Sequence, residues 1–458
     1  MKTYDVIWIG TGQATGTVIP RLSQAGKTVA VVEGGRFGGS CVNYGCTPTK
    51  TIVASARAAY MARRGTDFGV NISDFAIDFA RVMERQNQTR HSGSAGLENW
   101  LGGLNGVDLY KRFGQFDDPH TVRVGDEIIS GETIVIHTGA RANTPAIPGL
   151  ETVDWLDNVR LLDLQELPAH LVVIGGSYIG MEFAQAFRRF GSRVTILEKG
   201  PQLMFREDAD IARAAREILQ SEGIEVLLNV DVKRVSQPQT GAVEVAIEHE
   251  GRPVTIAGSH LLVAAGRRPN SDQLNLAAAG VNTTERGYIP VNEVLQTNVP
   301  HIFAVGDVNG AGAFTHTSVN DGEIFWDNYS GQGDRKLSDR IVIYAMYIDP
   351  PLGRVGLSEK EARASDRNIL MATRLMKDIA RAKEKDETAG LVKILVDADT
   401  EEIVGATILG VGGDEIISMF ASFMYTKQSY KLFRRAVLPH PTVAELMPWT
   451  LDDLAPLA

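Results

Sequence analysis

Residues 4–12 read Tyr4-Asp5-Val6-Ile7-Trp8-Ile9-Gly10-Thr11-Gly12, an apolar run that leads straight into two glycines. A short run rich in Val and Ile and bounded by glycine predicts a buried β-strand and a tight turn. A helix and a second strand, residues 28–32, follow, and that strand ends at Glu33. This order is typical of a dinucleotide-binding unit. The glycines let the backbone approach a pyrophosphate, the helix N-terminus attracts it, and the acid binds ribose hydroxyls.

The same order recurs in the middle of the chain. An apolar strand, residues 170–174, leads into Gly175-Gly176-Ser177-Tyr178-Ile179-Gly180, and the next strand ends at Glu198. In both copies the acid stands 23 residues after the first glycine, as from Gly10 to Glu33 in the first copy. A single such turn also occurs in unrelated α/β domains, but two copies with one spacing predict two Rossmann-like dinucleotide-binding domains.

Each copy departs once from the three-glycine pattern Gly-x-Gly-x-x-Gly. Thr15 stands at the third glycine position of the first copy, and Ser177 stands at the second position of the other. A carboxylate at Glu198 accepts hydrogen bonds from a free 2′-hydroxyl and repels a 2′-phosphate, which favours NADH over NADPH. The nearby positive charges of Lys199 and Arg206 oppose this preference. The candidate nucleotide-binding residues are Gly10, Gly12, Glu33, Gly175, Gly180 and Glu198.

Cys41 and Cys46 are the only cysteines among the 458 residues. Five residues of regular α-helix rise about 7.5 Å, whereas the Cα atoms of bridged cysteines lie within roughly 7 Å of each other. The pair therefore cannot close inside an undisturbed helix, and Gly45 stands between the two as a helix breaker. A disulfide that opens and closes, a permanent disulfide and two inert thiols are all compatible with this spacing alone.

The residues after the pair predict a helix that begins there. Thr47 and Pro48 suit the N-cap and the first turn, so we expect a loop that carries the cysteines into a helix N-terminus. The positive partial charge of that end favours a thiolate over a thiol.

The composition is that of an ordinary globular protein. Hydrophobic residues make up 44% and charged residues 22% of the chain, and the length predicts about three domains. The net charge of −10, without a dense Lys/Arg block, argues against nucleic acid or an anionic membrane as a partner. No apolar run approaches the ~20 residues of a membrane span, so we expect a cytoplasmic protein. In that compartment a cysteine pair is more often catalytic than structural.

Residues 299–307, Val-Pro-His-Ile-Phe-Ala-Val-Gly-Asp, predict a short apolar strand that ends in Gly306-Asp307. Asp307 is a candidate for binding the sugar-like chain of a flavin. An aspartate that caps the next helix is the alternative interpretation.

Together these motifs resemble one family. Residues 38–50, Gly-Gly-Ser-Cys-Val-Asn-Tyr-Gly-Cys-Thr-Pro-Thr-Lys, are similar to the redox-disulfide signature of the pyridine nucleotide–disulfide oxidoreductases. This group includes dihydrolipoamide dehydrogenase, glutathione reductase and mercuric reductase, and the likeness extends to mercuric-reductase-like flavoproteins of reactive-chlorine resistance. The resemblance runs from the first glycine turn through Gly306-Asp307 to residues 440–445, His-Pro-Thr-Val-Ala-Glu.

The resemblance implies an α/β fold with two Rossmann-like domains and a C-terminal α+β dimerisation domain. FAD would bind at the first glycine turn and the nicotinamide nucleotide at the second. The implied ranges are an FAD-binding domain at 1–145, an NAD(P)-binding domain at 146–265, a segment returning to the flavin at 266–335 and an interface domain at 336–458. In the last range, residues 391–396 and 403–409 predict strands, and residues 415–425 predict an amphipathic helix.

The resemblance further implies a relay of electrons from NAD(P)H through FAD to a Cys41–Cys46 disulfide. Cys46 would be the thiolate in charge-transfer contact with the flavin, and Cys41 the thiol that attacks a disulfide substrate. Lys50, one helical turn after Cys46, would place a cation beside the flavin, and its family partner corresponds to Glu182. Tyr178 would cover the flavin and move when nucleotide binds, and plain packing is the alternative for this tyrosine.

His440 is the acid/base that the resemblance implies for Cys41, because imidazole titrates near neutral pH. Glu445 would hold the other ring nitrogen, although Thr442-x-x-Glu445 also fits a capping box for a short helix. In the family this histidine comes from the other subunit, which implies a homodimer with two shared active sites.

The substrate is less determined than the reaction. The cysteine–histidine set fits exchange with a lipoamide-like or other small disulfide, although Pro439 departs from the small residue usual in dihydrolipoamide dehydrogenases. The alternative is reduction of soft metal ions (Hg, Cu) or reactive oxidants by the same cysteines. Mercuric reductase normally carries a C-terminal cysteine pair, and the lack of a third cysteine here argues against efficient mercury reduction. The complete set also argues against a non-catalytic docking subunit, and we expect no resident metal.

Overall fold

The computed structural model describes residues 1–457. Within them the chain divides into two compact units. The first unit comprises residues 1–51, 80–144 and 265–340, and the second comprises residues 52–79, 145–264 and 341 onward. The four sequence ranges given above stay a prediction of domain boundaries, and the final residue of the last range lies outside the described part.

The strands and helices are numbered in chain order. The strands β1–β22 are Lys2–Ile9, Val29–Val32, Val107–Tyr110, Gly114–Asp118, Thr121–Val124, Glu127–Ile136, Ala140–Ala142, His170–Ile174, Arg193–Leu197, Glu225–Leu227, Asp231–Gln239, Ala242–His249, Arg252–Gly258, His260–Val263, Arg267–Pro269, Ile302–Ala304, Ile343–Met346, Leu352–Gly356, Ile369–Leu375, Leu391–Asp397, Ile403–Leu409 and Ala455–Pro456. The helices α1–α13 are Ala14–Gln24, Gly39–Tyr44, Cys46–Arg63, Phe79–Gly102, Asn158–Leu161, Tyr178–Phe190, Ala209–Ser221, Thr315–Ser330, Glu359–Arg363, Ala380–Glu384, Gly413–Met424, Tyr430–Arg434 and Leu446–Thr450.

The first unit is built on a sheet with the strand order β3-β2-β1-β6-β5-β4, and β16 pairs with β6. Strand β1 is parallel to both β2 and β6, and β16 is parallel to β6. The carboxyl ends of these parallel strands share one edge of the sheet, where open α/β sheets bind their ligands. That edge therefore collects the glycine turn after β1, Glu33 after β2 and Gly306 after β16.

Both faces of β1 are buried, which explains its almost continuous apolar sequence. On one face Val6 and Trp8 belong to a core that includes Val18 of α1 and Phe325 of α8. On the other face Ile7 belongs to the core formed with the antiparallel strands β4 and β5. The glycine turn is thus fixed at the end of a strand that has no freedom to shift.

The second unit contains a parallel sheet with the order β10-β9-β8-β14 and an antiparallel sheet with the order β11-β12-β13. A third sheet, β17-β18-β21-β20-β19-β22, is antiparallel and packs on α11, where Ile417 and Phe420 share a core with Val392 and Ile394. Strands β8, β9 and β10 repeat the parallel order of β1, β2 and β3, so the internal repeat is confirmed.

The predicted mixed α/β fold is confirmed, as are the strands predicted at 391–396 and 403–409. The predicted helix at 415–425 begins two residues earlier, at Gly413, and ends at Met424. Among residues 1–457, no helix combines the length and the apolar character needed to cross a bilayer.

Candidate active site

Glu33 holds the glycine turn between β1 and α1 in shape. Its Oε2 accepts hydrogen bonds from the backbone N–H of Thr11 at 2.9 Å and from the Thr11 hydroxyl at 2.6 Å. Its Oε1 accepts from the Gly35 N–H at 2.7 Å. Gly10 has a φ of +101°, and a Cβ there would lie 2.3 Å from the His137 carbonyl oxygen, so only glycine fits. The carboxylate therefore lies beside a turn whose backbone is open to a ligand.

Glu198 repeats this arrangement in the second unit. Its Oε2 accepts from the Gly176 N–H at 2.7 Å, and its Oε1 accepts from the Gly200 N–H at 2.7 Å. Gly175 has a φ of +109°, and a Cβ at Gly180 would lie 2.1 Å from the Gly175 carbonyl oxygen. We call the two arrangements, Glu33 with its turn and Glu198 with its turn, the carboxylate clasps.

The two departures from the glycine pattern have local explanations. Thr15 is fully buried, and its hydroxyl accepts a hydrogen bond from Trp8 Nε1 at 3.0 Å. A glycine at this position would let α1 pack directly on β1. The threonine instead joins α1 to β1 through a hydrogen bond. Ser177 is the residue before α6 and has an extended backbone with a φ of −104°, a conformation that any residue adopts.

His137 connects three segments of the first unit, and the sequence did not point to it. Its Nδ1 donates to the Val305 carbonyl oxygen at 2.9 Å, and its Nε2 accepts from the N–H of Ala14, the first residue of α1, at 3.3 Å. Burial lowers the pKa of His137, which keeps the ring neutral in this double role. A Cβ at Gly12 would come within 2.5 Å of His137 Nε2, which explains the second glycine of the turn.

Asp307 follows β16 in a short 3₁₀ turn, Gly306–Asn309. The residue before α8 is Phe314, so the interpretation of Asp307 as a cap for that helix is wrong. Arg267 Nη1 lies 3.1 Å from Asp307 Oδ2, and burial raises the pKa of this carboxyl. The buried Asp321 fixes the turn, because its Oδ2 accepts from the Gly306 N–H at 2.7 Å.

The first unit fits a flavin dinucleotide. Two of its buried polar atoms, Asn43 Oδ1 and Ser318 Oγ, have no hydrogen-bond partner within the described residues. A Cβ at Gly306 would lie 3.1 Å from Ser318 Oγ. Asn43 Nδ2 donates to the carbonyl oxygen of Gly39, and a Cβ at Gly39 would lie 2.9 Å from the Cα of Gly12. Buried polar groups are nearly always paired, so a polar ligand at the glycine turns accounts for both atoms.

The cysteine pair lies on two helices that Gly45 separates. Cys41 lies on the short helix α2, Cys46 begins α3, and Gly45 between them has non-helical angles, φ −131° and ψ −112°. The prediction that Cys41 lies in a loop is therefore wrong. Gly38 and Gly39 adopt positive φ values and start a helix of their own instead of extending the loop. The break at Gly45 is the interruption that the spacing of the two cysteines required.

Both cysteines are thiols in this structure, with Cys46 exposed and Cys41 half-buried. The neighbouring Cys46 sulfur and burial raise the pKa of the Cys41 thiol, which opposes the thiolate-favouring effect expected at this position. Cys46 Sγ lies 3.3 Å from the hydroxyl of Thr315, the first residue of α8. Thr315 can therefore donate a hydrogen bond to a Cys46 thiolate, a role that the sequence did not suggest.

Replacing Thr315 with valine keeps the side-chain shape and removes this donor. We expect the pKa of Cys46 to rise by about one to two units, because a hydrogen bond to a charged group contributes about 1.5–3 kcal/mol. The measurement is a pH titration of the long-wavelength absorption of the two-electron-reduced protein. Thr317→Val is the matched control, because within residues 1–457 the Thr317 hydroxyl bonds only to the backbone of Phe314. An unchanged titration in Thr315→Val would show that the hydroxyl does not support the thiolate.

Lys50 lies one turn after Cys46 on α3, in the first unit. Glu182 is buried on α6, in the second unit, and its Oε1 accepts a hydrogen bond from the Tyr347 N–H at 2.8 Å. The interaction of Lys50 with Glu182 that the resemblance implies stays a prediction.

Tyr178 is the first residue of α6, and its hydroxyl donates to Glu207 Oε1 at 2.6 Å. The same oxygen accepts from the Tyr344 hydroxyl at 2.6 Å, while Arg354 Nη1 donates to Glu207 Oε2 at 3.0 Å. Burial raises the pKa of Tyr178, so the phenol stays protonated and donates. Tyr178 is therefore held by a specific hydrogen bond to the buried Glu207 as well as by packing.

His440 is exposed, and its Nδ1 lies 3.0 Å from Glu445 Oε1. The Glu445 N–H donates to the Thr442 hydroxyl at 3.2 Å. The Glu445 side chain therefore binds the imidazole. The alternative capping box does not form, because α13 begins at Leu446 with Glu445 as the preceding residue and has no side-chain cap hydrogen bond. With Nδ1 directed to the carboxylate, Nε2 is the ring nitrogen that can exchange a proton.

Three carboxylates, those of Asp208, Asp210 and Glu359, lie close together in the second unit. The ammonium group of the buried Lys393 lies between them, 3.3, 2.8 and 2.5 Å from their oxygens. We interpret this cluster as an ion-pair network around Lys393.

Comparisons with known proteins agree with this geometry. The profile of the family described as "Pyridine nucleotide-disulphide oxidoreductase" matches residues 4–322, and that of its dimerisation domain matches residues 342–451. The probable pyridine nucleotide-disulfide oxidoreductase RclA of Escherichia coli (strain K12) is 36% identical over 462 residues, which cover 99% of each chain. A solved structure, the Cu(II) complex of the HOCl-induced flavoprotein disulfide reductase RclA from Escherichia coli, matches with a TM-score of 0.89 at 35% identity, over 99% of each chain.

Two further relatives act on different substrates by name. A mercuric reductase of Staphylococcus aureus is 32% identical over 422 residues, 90% of this chain and 76% of the relative. A dihydrolipoyl dehydrogenase of Geobacillus stearothermophilus is 31% identical over 448 residues, 96% of this chain and 94% of the relative. The dimerisation domain supports a homodimer, and FAD and NAD(P)H are the cofactors of the family. This chain therefore belongs to the pyridine nucleotide–disulfide oxidoreductase family.

Proposed function

We propose that the chain reduces a small disulfide with electrons from NADH, by way of FAD and the Cys41–Cys46 pair, with His440 of the partner subunit as acid and base. The observation that carries the proposal is the His440–Glu445 hydrogen bond, which orients an exposed imidazole. The balanced reaction is RSSR + NADH + H⁺ → 2 RSH + NAD⁺. Gly10, Gly12 and Glu33 would hold FAD, which would supply two-electron transfer between the nicotinamide and the Cys41–Cys46 disulfide.

Each protein residue then has one task. The Cys41 thiolate attacks one sulfur of the substrate disulfide, and the first substrate thiolate leaves. Cys46 next attacks the Cys41 sulfur of the mixed disulfide, which releases the second substrate thiolate and restores the Cys41–Cys46 disulfide. His440 takes the proton from Cys41 before the attack and gives it to a leaving thiolate.

The raised pKa of the Cys41 thiol supports this role of His440. A thiol whose pKa lies above its ordinary value is mostly protonated at neutral pH. It therefore needs a base to become the nucleophile, and Nε2 of an imidazole held through Nδ1 is such a base. Glu445 stabilises the protonated ring that results.

NADH is the proposed electron donor, because Glu198 lies at the position that meets the adenosine ribose of the nucleotide. We expect Glu198→Gln to lower the NADH/NADPH ratio of kcat/KM by about 10- to 100-fold. The change removes hydrogen bonds to a charged group, each worth about 1.5–3 kcal/mol, and a repulsion of the 2′-phosphate. The measurement is steady-state kinetics with both nucleotides.

The first carboxylate clasp supplies the control for this experiment. Glu33→Gln makes the same chemical change at a carboxylate that accepts the same backbone hydrogen bonds. It should weaken FAD binding and leave the NADH/NADPH ratio unchanged. A ratio that shifts equally in both variants would contradict the assignment of Glu198 to the nicotinamide nucleotide.

Cu(II) is the second candidate substrate, because the relative with 35% identity over 99% of the chain was solved as a Cu(II) complex. The balanced reaction is 2 Cu(II) + NADH → 2 Cu(I) + NAD⁺ + H⁺. This reaction has no leaving thiolate that must be protonated.

Disulfide reduction should depend on His440 and Cu(II) reduction should not, which distinguishes the two candidate reactions. NADH oxidation should be measured with lipoamide, glutathione disulfide, Cu(II) and Hg(II), for the native protein and for His440→Ala. Turnover with a disulfide that falls in the variant supports disulfide reduction. Turnover with Cu(II) alone, equal in both proteins, supports metal reduction, and no turnover with any of the four contradicts both.

A further inference from the structure

Phe113 is 74% exposed, and it lies between β3 and β4 in the first unit. Its ring rests on Gly34, where a Cβ would lie only 2.4–2.6 Å from Cγ, Cδ1 and Cε1 of the ring. Gly34 directly follows the acid of the first carboxylate clasp, Glu33. The Glu33 N–H donates to the Tyr110 carbonyl oxygen at 2.9 Å, which holds the carboxyl ends of β2 and β3 side by side. The structure therefore places an aromatic face next to the clasp at the ligand-binding edge of the sheet.

We propose that Phe113 is the platform on which the adenine ring of FAD stacks. Glu33 is the residue that would accept the ribose hydroxyls of the adenosine half. Adenine is bonded directly to that same ribose, so the adenine ring must lie close to the Glu33 carboxylate. On the chain after Glu33, Gly34 and Gly35 offer only backbone, and the ring of Phe113 covers the first of them. Purine rings stack on aromatic side chains in nucleotide-binding proteins.

The comparison of the two units sharpens the assignment. The clasps of Glu33 and Glu198 share their backbone hydrogen bonds, so these bonds alone do not distinguish one dinucleotide from another. The residue that follows β10 by three positions, as Phe113 follows β3, is Val230, and it is buried. An exposed aromatic ring at this position is thus a property of the first unit, whose cofactor stays bound through the catalytic cycle.

The proposal is tested with the full-length protein after removal of flavin. The dissociation constants of FAD and FMN are measured by fluorescence titration for the native protein, Phe113→Ala, Phe113→Leu and Phe113→Tyr. Competition by ADP, which carries the adenosine half without the flavin ring, is measured against FAD.

Because stacking on an aromatic side chain contributes about tenfold to 100-fold in binding, Phe113→Ala should weaken FAD by about that factor. ADP should weaken in parallel, while FMN, which has no adenine, should bind as to the native protein. Phe113→Tyr should restore FAD binding, and Phe113→Leu should restore it only in part. Unchanged FAD affinity in Phe113→Ala, or an equal loss for FAD and FMN, would overturn the proposal.

Discussion

Cys41→Ser is expected to abolish disulfide reduction while the flavin is still reduced by NADH. Serine is a far weaker nucleophile than a thiolate, and removal of a catalytic nucleophile lowers turnover by about 10³-fold or more. Cys46 keeps its contact with Thr315 in this variant, so the long-wavelength absorption of a thiolate beside an oxidised flavin should persist. Steady-state rates with a disulfide and stopped-flow flavin reduction with NADH measure the two effects separately.

Cys46→Ser is the matched control, because it makes the same change five residues away. It should also stop turnover, but it should lose the long-wavelength absorption. If Cys46→Ser retained that absorption and Cys41→Ser lost it, the roles of the two sulfurs would be exchanged. The structure distinguishes the two thiols by their exposure, since Cys46 is exposed and Cys41 is half-buried.

His440→Ala is expected to lower kcat/KM for a disulfide by about 10²- to 10⁴-fold, the usual contribution of a general acid/base. Flavin reduction by NADH should be nearly unchanged, because it needs no proton transfer to Cys41. The pH profile gives a second readout. Since the pKa of Cys41 is raised, the thiolate fraction in the variant grows about tenfold per pH unit below that pKa, and the residual rate should grow with it. A residual rate that does not rise with pH would contradict the role of His440 as the base for Cys41.

The proposal that the active site is shared between subunits is tested by mixing the two variants. Cys41→Ser supplies an intact His440, and His440→Ala supplies an intact cysteine pair. A heterodimer of the two has one complete site if the histidine acts across the interface of a symmetric dimer. Unfolding and refolding the mixture should therefore restore activity that neither variant shows alone. Failure to restore it, with heterodimers verified by mass, would place the histidine and cysteines of one site in the same chain.

Much of this architecture follows from local sequence. The strands around both glycine turns, their order and the acids that follow them are all encoded within about 30 residues, where apolar runs, glycines and spacing suffice. The helix break at Gly45 can also be predicted from the sequence, because the spacing of Cys41 and Cys46 is incompatible with a disulfide in an unbroken helix. The helix around Cys41 does not follow from the sequence, because adjacent glycines favour a loop, whereas Gly38 and Gly39 here adopt positive φ values at the start of α2.

The contacts that local sequence does not encode join residues far apart in the chain. His137 bonds Ala14 and Val305, which are 123 and 168 residues away, and Thr315 contacts a cysteine 269 residues before it. No periodicity or spacing encodes such pairs, since they arise only when the parallel strands place their carboxyl ends at one edge. Glu445 shows a different difficulty, because one residue type fits both a helix cap and a partner for His440. Only the geometry shows that its carboxylate is at the histidine.

The carboxylate clasps have a consequence for how fast the cofactors bind. Each clasp ties its own loop to its own glycine turn through direct hydrogen bonds within the protein, so both loops are preorganised before any nucleotide arrives. Binding then spends little conformational entropy on ordering those loops. For a nucleotide that must enter and leave once per catalytic cycle, this means that association at the Glu198 clasp is not delayed by loop folding.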